Sequence, residues 1–103
     1  MRDTDLFDDA FELDATFHAL ASPVRRYLIE LLEPESAAAG DLAASAASMF
    51  GISASRVSQH LAVLDRAGLV VVETEGTWRY YDVERGSAAA AVEWLQRRGL
   101  ASR

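Results

Sequence analysis

The sequence predicts a mainly α-helical protein with one small β-hairpin, an α+β arrangement of about five helices and two strands. Three observations predict it. Apolar residues recur at spacings of three and four through most of the chain, the period of amphipathic helices. Serine and proline stand where helices should begin, and glycine where they should end. One β-branched run, LVVVETEGTWRYYDV, breaks that period and turns at Glu75-Gly76-Thr77, the pattern of a hairpin.

The elements follow in order. Residues 4–21 read as a helix whose stripe is Leu6, Ala10, Leu13, Phe17 and Leu20, widened by Phe7 and Phe11. Such an aromatic stripe exceeds what a small domain needs inside, and suits a second subunit. Its early carboxylates favour the positive end of the helix dipole. In ASPVRRYLIELLE, Ser22 is the N-cap and Pro23 takes the first helical position, where its missing N–H costs nothing. Val24, Tyr27, Leu28, Leu31 and Leu32 make the inner face, and Pro34 ends the helix. A third helix is expected at 40–49, with Leu42 and Met49 facing inward. Phe50-Gly51-Ile52 forms a turn, Ser53 caps a fourth helix, and Gly68 is its left-handed stop, so 40–67 is a helix-turn-helix. The hairpin occupies 69–83 with its tip at Gly76, and a last helix spans 87–98. There Ala88, Ala91, Val92 and Leu95 share a face with Trp94 beside it. With no repeat and no linker, residues 1–103 read as a single domain.

Composition narrows the function. A domain of 103 residues buries a modest share of its surface, and a partner subunit is a common remedy. No apolar run approaches the ~20 residues of a membrane span, and the acidic MRDTDLFDDAFELD lacks the basic start of a signal peptide. The expected address is the cytoplasm, with no membrane partner. The absence of cysteine removes disulfides, thiolate metal sites and thiol redox sensing. The formal charge of -6 is unevenly placed. Residues 1–14 hold six acids and one arginine, net -5, while the other 89 residues hold ten acids and nine arginines, net -1. Every basic residue is arginine, the side chain that makes two-pronged contacts to phosphate and guanine. Total charge is therefore a poor objection to nucleic acid as a partner.

The stretch SASRVSQHLAVLDRAGLV carries the functional signal. At about 100° per residue, Val57, Leu61 and Leu64 form the inner face. Ser55, Gln59, Ala62 and Arg66 fall opposite, with Arg56, Ser58 and His60 on the flanks. Small polar residues permit close approach to a groove, and Arg and Gln reach base edges or phosphates. An ordinary solvated face would carry Glu/Lys pairs, and residues 53–64 have neither.

From Phe17 to Trp94, about three quarters of the chain, the sequence resembles the ArsR/SmtB family of winged helix-turn-helix regulators. FHALASPVRRYLIELL resembles the family's opening, SASRVSQHLAVLDRAGLV its recognition helix, and GTWRYYDV the second strand of its wing. The resemblance implies a dimeric repressor of double-stranded DNA with a near-palindromic operator close to its own gene. It implies base- or phosphate-facing roles for Ser53, Ser55, Arg56, Ser58, Gln59 and His60, with Arg66 on the same helix and Arg79 in the wing. It also implies a two-fold homodimer interface from the first and last helices: Leu6, Phe7, Ala10, Phe11, Leu13, Phe17, Ala91, Val92 and Leu95.

Three departures from the family pattern stand out. The segment from Leu42 to Gly51 is about four residues, one helical turn, longer than the family's third helix, enough to shift the recognition helix or to line a pocket with small residues. The wing tip holds Glu73 and Glu75 where the family often has basic residues, and acids repel phosphates. The family's sensor ligands are missing: the third helix has no Cys, and the last helix offers only Glu93. Asp14 and His18, four residues apart, are the weak metal candidates; two ligands do not make a site, and no cofactor is expected. An effector, if there is one, is a small molecule, a metal ion or a protein. Two alternatives to a DNA-binding repressor stand: a Ni²⁺- or Zn²⁺-responsive regulator using N/O ligands, and a protein-interaction module with weak DNA binding. An enzyme is not expected, since no nucleophile–base pairing or phosphate loop is visible.

Overall fold

A computed structural model describes residues 3–102, with side chains from Ala10 onward. The elements are α1 (Asp3–Leu20), α2 (Pro23–Leu32), β1 (Ala37–Ala38), α3 (Ala39–Phe50), α4 (Ala54–Arg66), β2 (Val70–Glu75), β3 (Trp78–Val83) and α5 (Ala89–Arg97). This is the α+β winged helix arrangement that the sequence predicts, with one addition. The hairpin is part of a three-stranded antiparallel sheet ordered β1-β3-β2. In β1, Ala37 pairs with Tyr81 and Ala38 with Tyr80. Two alanines have little strand preference of their own, and β3 supplies the ladder that makes them a strand.

Local chemistry sets the helix ends. The Ser22 hydroxyl accepts the Arg25 N–H at 3.3 Å, with Pro23 in the first turn. The Ser53 hydroxyl accepts the Arg56 N–H at 3.1 Å and so starts α4. Gly51 closes α3 at φ 65°, a left-handed conformation that costs a residue with a Cβ.

The core is a leucine cluster drawn from every layer. Leu28 and Leu32 of α2, Leu42 of α3, and Val57, Leu61 and Leu64 of α4 are fully enclosed. Burying side chains of this size is worth ~1.5–3 kcal/mol each, so α4 is anchored along its whole length.

One packing expectation is corrected. Met49 does not face inward; it is 60% exposed. It lies on the Leu42 side of α3 but about 10 Å further along the axis, at the rim of an open hollow with Tyr27 and Ser45. The inner place goes to Phe50, whose ring meets Tyr27 edge-on at 5.5 Å. Among the described side chains of α1, the most deeply buried are the small Thr16 and Ala19, whereas Phe11 and Phe17 are 59% and 38% exposed. Ala91 is only 4% exposed, so it belongs to the interior of the chain and offers a second subunit almost no surface. The side chains of Leu6 and Phe7 lie outside the described ones.

Candidate nucleic-acid interface

The outward side of α4 is assembled by its inward side. With Val57, Leu61 and Leu64 held in the core, Ser55, Arg56, Ser58 and Gln59 are all exposed. They occupy the first two turns, directly after the Ser53 cap, whose hydroxyl also lies 3.3 Å from that of Ser55. No acidic residue sits in the first turn, so the positive end of the helix dipole adds to the Arg56 charge. An anion approaching this end meets free N–H groups, hydroxyls and one guanidinium.

His60 is half-buried at the edge of this surface. Its Nδ1 lies 3.0 Å from a terminal nitrogen of Arg25. Burial first, and then the Arg25 and Arg56 charges, hold its pKa below the usual 6.5, so the ring is neutral at physiological pH. Arg25 reaches His60 from α2 while donating to the carbonyls of Ala19 (2.8 Å) and His18 (2.9 Å) at the end of α1. Arg26 donates to the Leu20 carbonyl at 2.8 Å. The paired arginines of PVRR therefore cap α1. Arg25 lies in FHALASPVRRYLIELL, the stretch that resembles the family's opening, but nothing in that stretch marks it as a site residue. The signal for it is position: a long cation on the flank of the inner face of α2, one residue after the buried Val24.

Two candidates are set apart from this group. Arg66 closes the last turn of α4, about 15 Å along the axis from Arg56. It borders a hollow with Ala15 and His18 of α1, so the structure associates it with α1 rather than with the Arg56–Gln59 surface. Arg79 folds back along its own strand: its guanidinium donates to the Tyr81 hydroxyl at 3.0 Å and lies 5.7 Å from that ring.

The register of the hairpin separates the wing's charges. Glu73 pairs with Tyr80 and Glu75 with Trp78, whereas Thr74 pairs with Arg79 and Val72 with Tyr81. Alternation along each strand puts Glu73, Glu75, Trp78 and Tyr80 on one face. Arg79 shares the other with the buried Val70 and Tyr81. Trp78, 60% exposed, stacks on Tyr80 at 6.4 Å. It is a large exposed aromatic that the strand pattern predicts only as part of the hairpin.

Asp14 and His18 are both exposed on α1. Among the described residues, no three His, Cys, Asp or Glu side chains gather as a metal site would require. On the α1–α5 side, Phe17 meets Trp94 edge-on at 6.0 Å. Ala10 and Val92 are exposed, Leu13 and Leu95 half-buried.

Known proteins share this arrangement. Residues 20–73, just over half of the chain, match the family model of a helix-turn-helix domain. The chain is 28% identical to the transcriptional repressor SdpR of Bacillus subtilis, over 81% of this chain and 88% of that protein. A solved structure described as a possible transcriptional regulator for arsenical resistance is 33% identical, with a TM-score of 0.69, covering 82% of this chain and 84% of that one. The structure of an ArsR family transcriptional regulator superposes with a TM-score of 0.77 over 87% of this chain and 89% of the other; at 24% identity it speaks for the fold. The chain belongs to the helix-turn-helix domain family, as a DNA-binding transcriptional regulator of the winged ArsR/SmtB type.

Proposed function

We propose that this protein is a dimeric repressor that inserts the first two turns of α4 into the major groove of a near-palindromic operator close to its own gene, in the cytoplasm. One observation carries the reading: Ser55, Arg56, Ser58 and Gln59 form a continuous exposed surface at a capped helix N-terminus, without a carboxylate in that turn to repel phosphate. Arg and Gln supply two-pronged donors for guanine and adenine edges, and the serines allow close approach. Ser53 is the cap as well as a phosphate candidate, and Arg79 is a phosphate candidate only where it swings off Tyr81. Repression is taken from SdpR, a relative whose name states it.

The dimer reading rests on α1 and α5. Phe11, Phe17 and Val92 are large and exposed, and the Phe17–Trp94 contact joins the two helices into one surface. A two-fold axis there would set two copies of α4 about one DNA turn apart. Residues 1–21 and 87–98 would then be dimerisation helices flanking the helix-turn-helix at 40–67 and the wing at 69–83.

Gel-shift titration on the promoter of its own gene tests the groove assignment. Arg56→Ala and Gln59→Ala should each cost ~1–3 kcal/mol of operator discrimination while circular dichroism stays unchanged. Wild-type affinity in both variants rejects it.

A further inference from the structure

The contact between Arg25 and His60 joins residues 35 positions apart, one in each of the stretches that resemble the family's opening and its recognition helix. All three guanidinium nitrogens of Arg25 are engaged. Nε donates to Ala19 and one terminal nitrogen to His18, both carbonyls in the last turn of α1, and the other terminal nitrogen meets His60 Nδ1. A guanidinium has donors only and keeps its charge. His60 Nδ1 must therefore accept, and the ring proton resides on Nε2. A protonated imidazole would have no acceptor to offer and would face Arg25 and Arg56 as a third cation.

We infer that Arg25 is a positioning residue for DNA recognition, holding His60 as its Nε2–H tautomer and tying it to the end of α1. This rests on α4 being the groove-facing helix. His60 follows Arg56 by four residues, so the two are neighbours on one helix flank. With Nδ1 occupied from the α2 side, Nε2–H leaves the ring away from Arg25. It is a neutral donor beside a cationic one, suited to a phosphate oxygen on the flank of the groove. The planar fork also couples two elements. A displacement of the end of α1 either moves His60 with it or breaks one of three hydrogen bonds. A lysine could not span the same three acceptors, because its donors radiate from one atom.

Long-range ¹H–¹⁵N spectra of the imidazoles in the full chain, at about pH 7.5, test the tautomer without any substitution in the network. His60→Asn serves only to assign the signals. A protonated Nε2 and a bare Nδ1 on His60 are expected, and a proton on Nδ1 overturns the inference. Gel-shift titrations on a duplex from the protein's own promoter test the coupling. Arg25→Lys should mix the tautomers and weaken binding about tenfold, and His60→Ala should weaken it similarly. The double substitution should cost no more than either alone, since Arg25 acts through His60; additive losses overturn the proposal. Arg56→Ala in the same series separates the two readings. If it loses binding while Arg25→Lys and His60→Ala bind as wild type does, this inference fails and the groove assignment stands. If Arg56→Ala binds normally, both fail.

Discussion

His60 gives the residue scale a signed prediction. Its folded pKa is lowered by burial, Arg25 and Arg56, in that order, while the unfolded chain titrates near the usual value. Between the two values the unfolded state holds the extra proton. Stability is therefore greatest above 6.5 and falls as pH drops through it toward the lower folded value. Urea unfolding at about pH 7.5 and about pH 5.5 should show this loss in the wild type and a smaller one in His60→Gln. An equal loss in both assigns it to other groups. Ser53 gives a second prediction. Its hydroxyl satisfies the Arg56 N–H, so Ser53→Ala should cost ~1 kcal/mol of stability by denaturant titration.

At the scale of elements, α4 carries opposite demands on its two sides. Leu61→Ala would open a cavity between α4 and the leucines of α2 and α3, and should cost ~2–5 kcal/mol. Substitution of the exposed Gln59 by Ala should cost no more than about 0.5 kcal/mol while operator binding falls. The turn before α4 has a different sensitivity. A Cβ at Gly51 would meet nothing within 4 Å, so Gly51→Ala should lose only the backbone penalty of the left-handed conformation, about 1 kcal/mol by thermal or urea unfolding. A much larger loss would mean that the turn between α3 and α4 packs more tightly than the structure shows. The wing illustrates how an element can divide its chemistry. Period-two alternation keeps Glu73 and Glu75 off the face that carries Arg79, so the acids of the tip and the arginine need not meet the same partner.

For the whole molecule, the arginines decide how salt should act. Beyond residue 14 there are ten carboxylates and nine arginines, and many of the arginines are engaged within the chain. Arg25 and Arg26 cap α1, Arg79 lies on Tyr81, Arg97 pairs with Glu93, and Arg98 sits 4.7 Å from the Trp94 ring centre. Few phosphates can be neutralised. A dimer contacting ~2–4 phosphates should give log K against log salt a slope of about −2 to −4. A slope near −10, typical of a strongly basic binder, would contradict it. Assembly belongs to this scale too. Val92 is 47% exposed on α5, and Val92→Asp should shift sedimentation from dimer to monomer with little change in secondary structure. A variant that remains dimeric at the wild-type concentration moves the interface elsewhere.

The order of helices, their caps, the hairpin and the two sides of α4 were all legible in the residues. Each depends on neighbours within a turn or two: Ser53 and Arg56 are three apart, and Val57, Leu61 and Leu64 repeat at helical spacing. What the tertiary structure decided depends on residues remote in sequence. Ala37 and Ala38 become a strand because Tyr80 and Tyr81 pair with them. Met49 stays exposed at the rim of α3 while Phe50 packs its ring against Tyr27. Arg25 belongs to the candidate interface because His60, on a different helix, accepts from it. Periodicity and capping are local free energies and can be read along the chain. Strand pairing, ring contacts and a shared guanidinium exist only once the fold has brought their partners within hydrogen-bonding or packing distance.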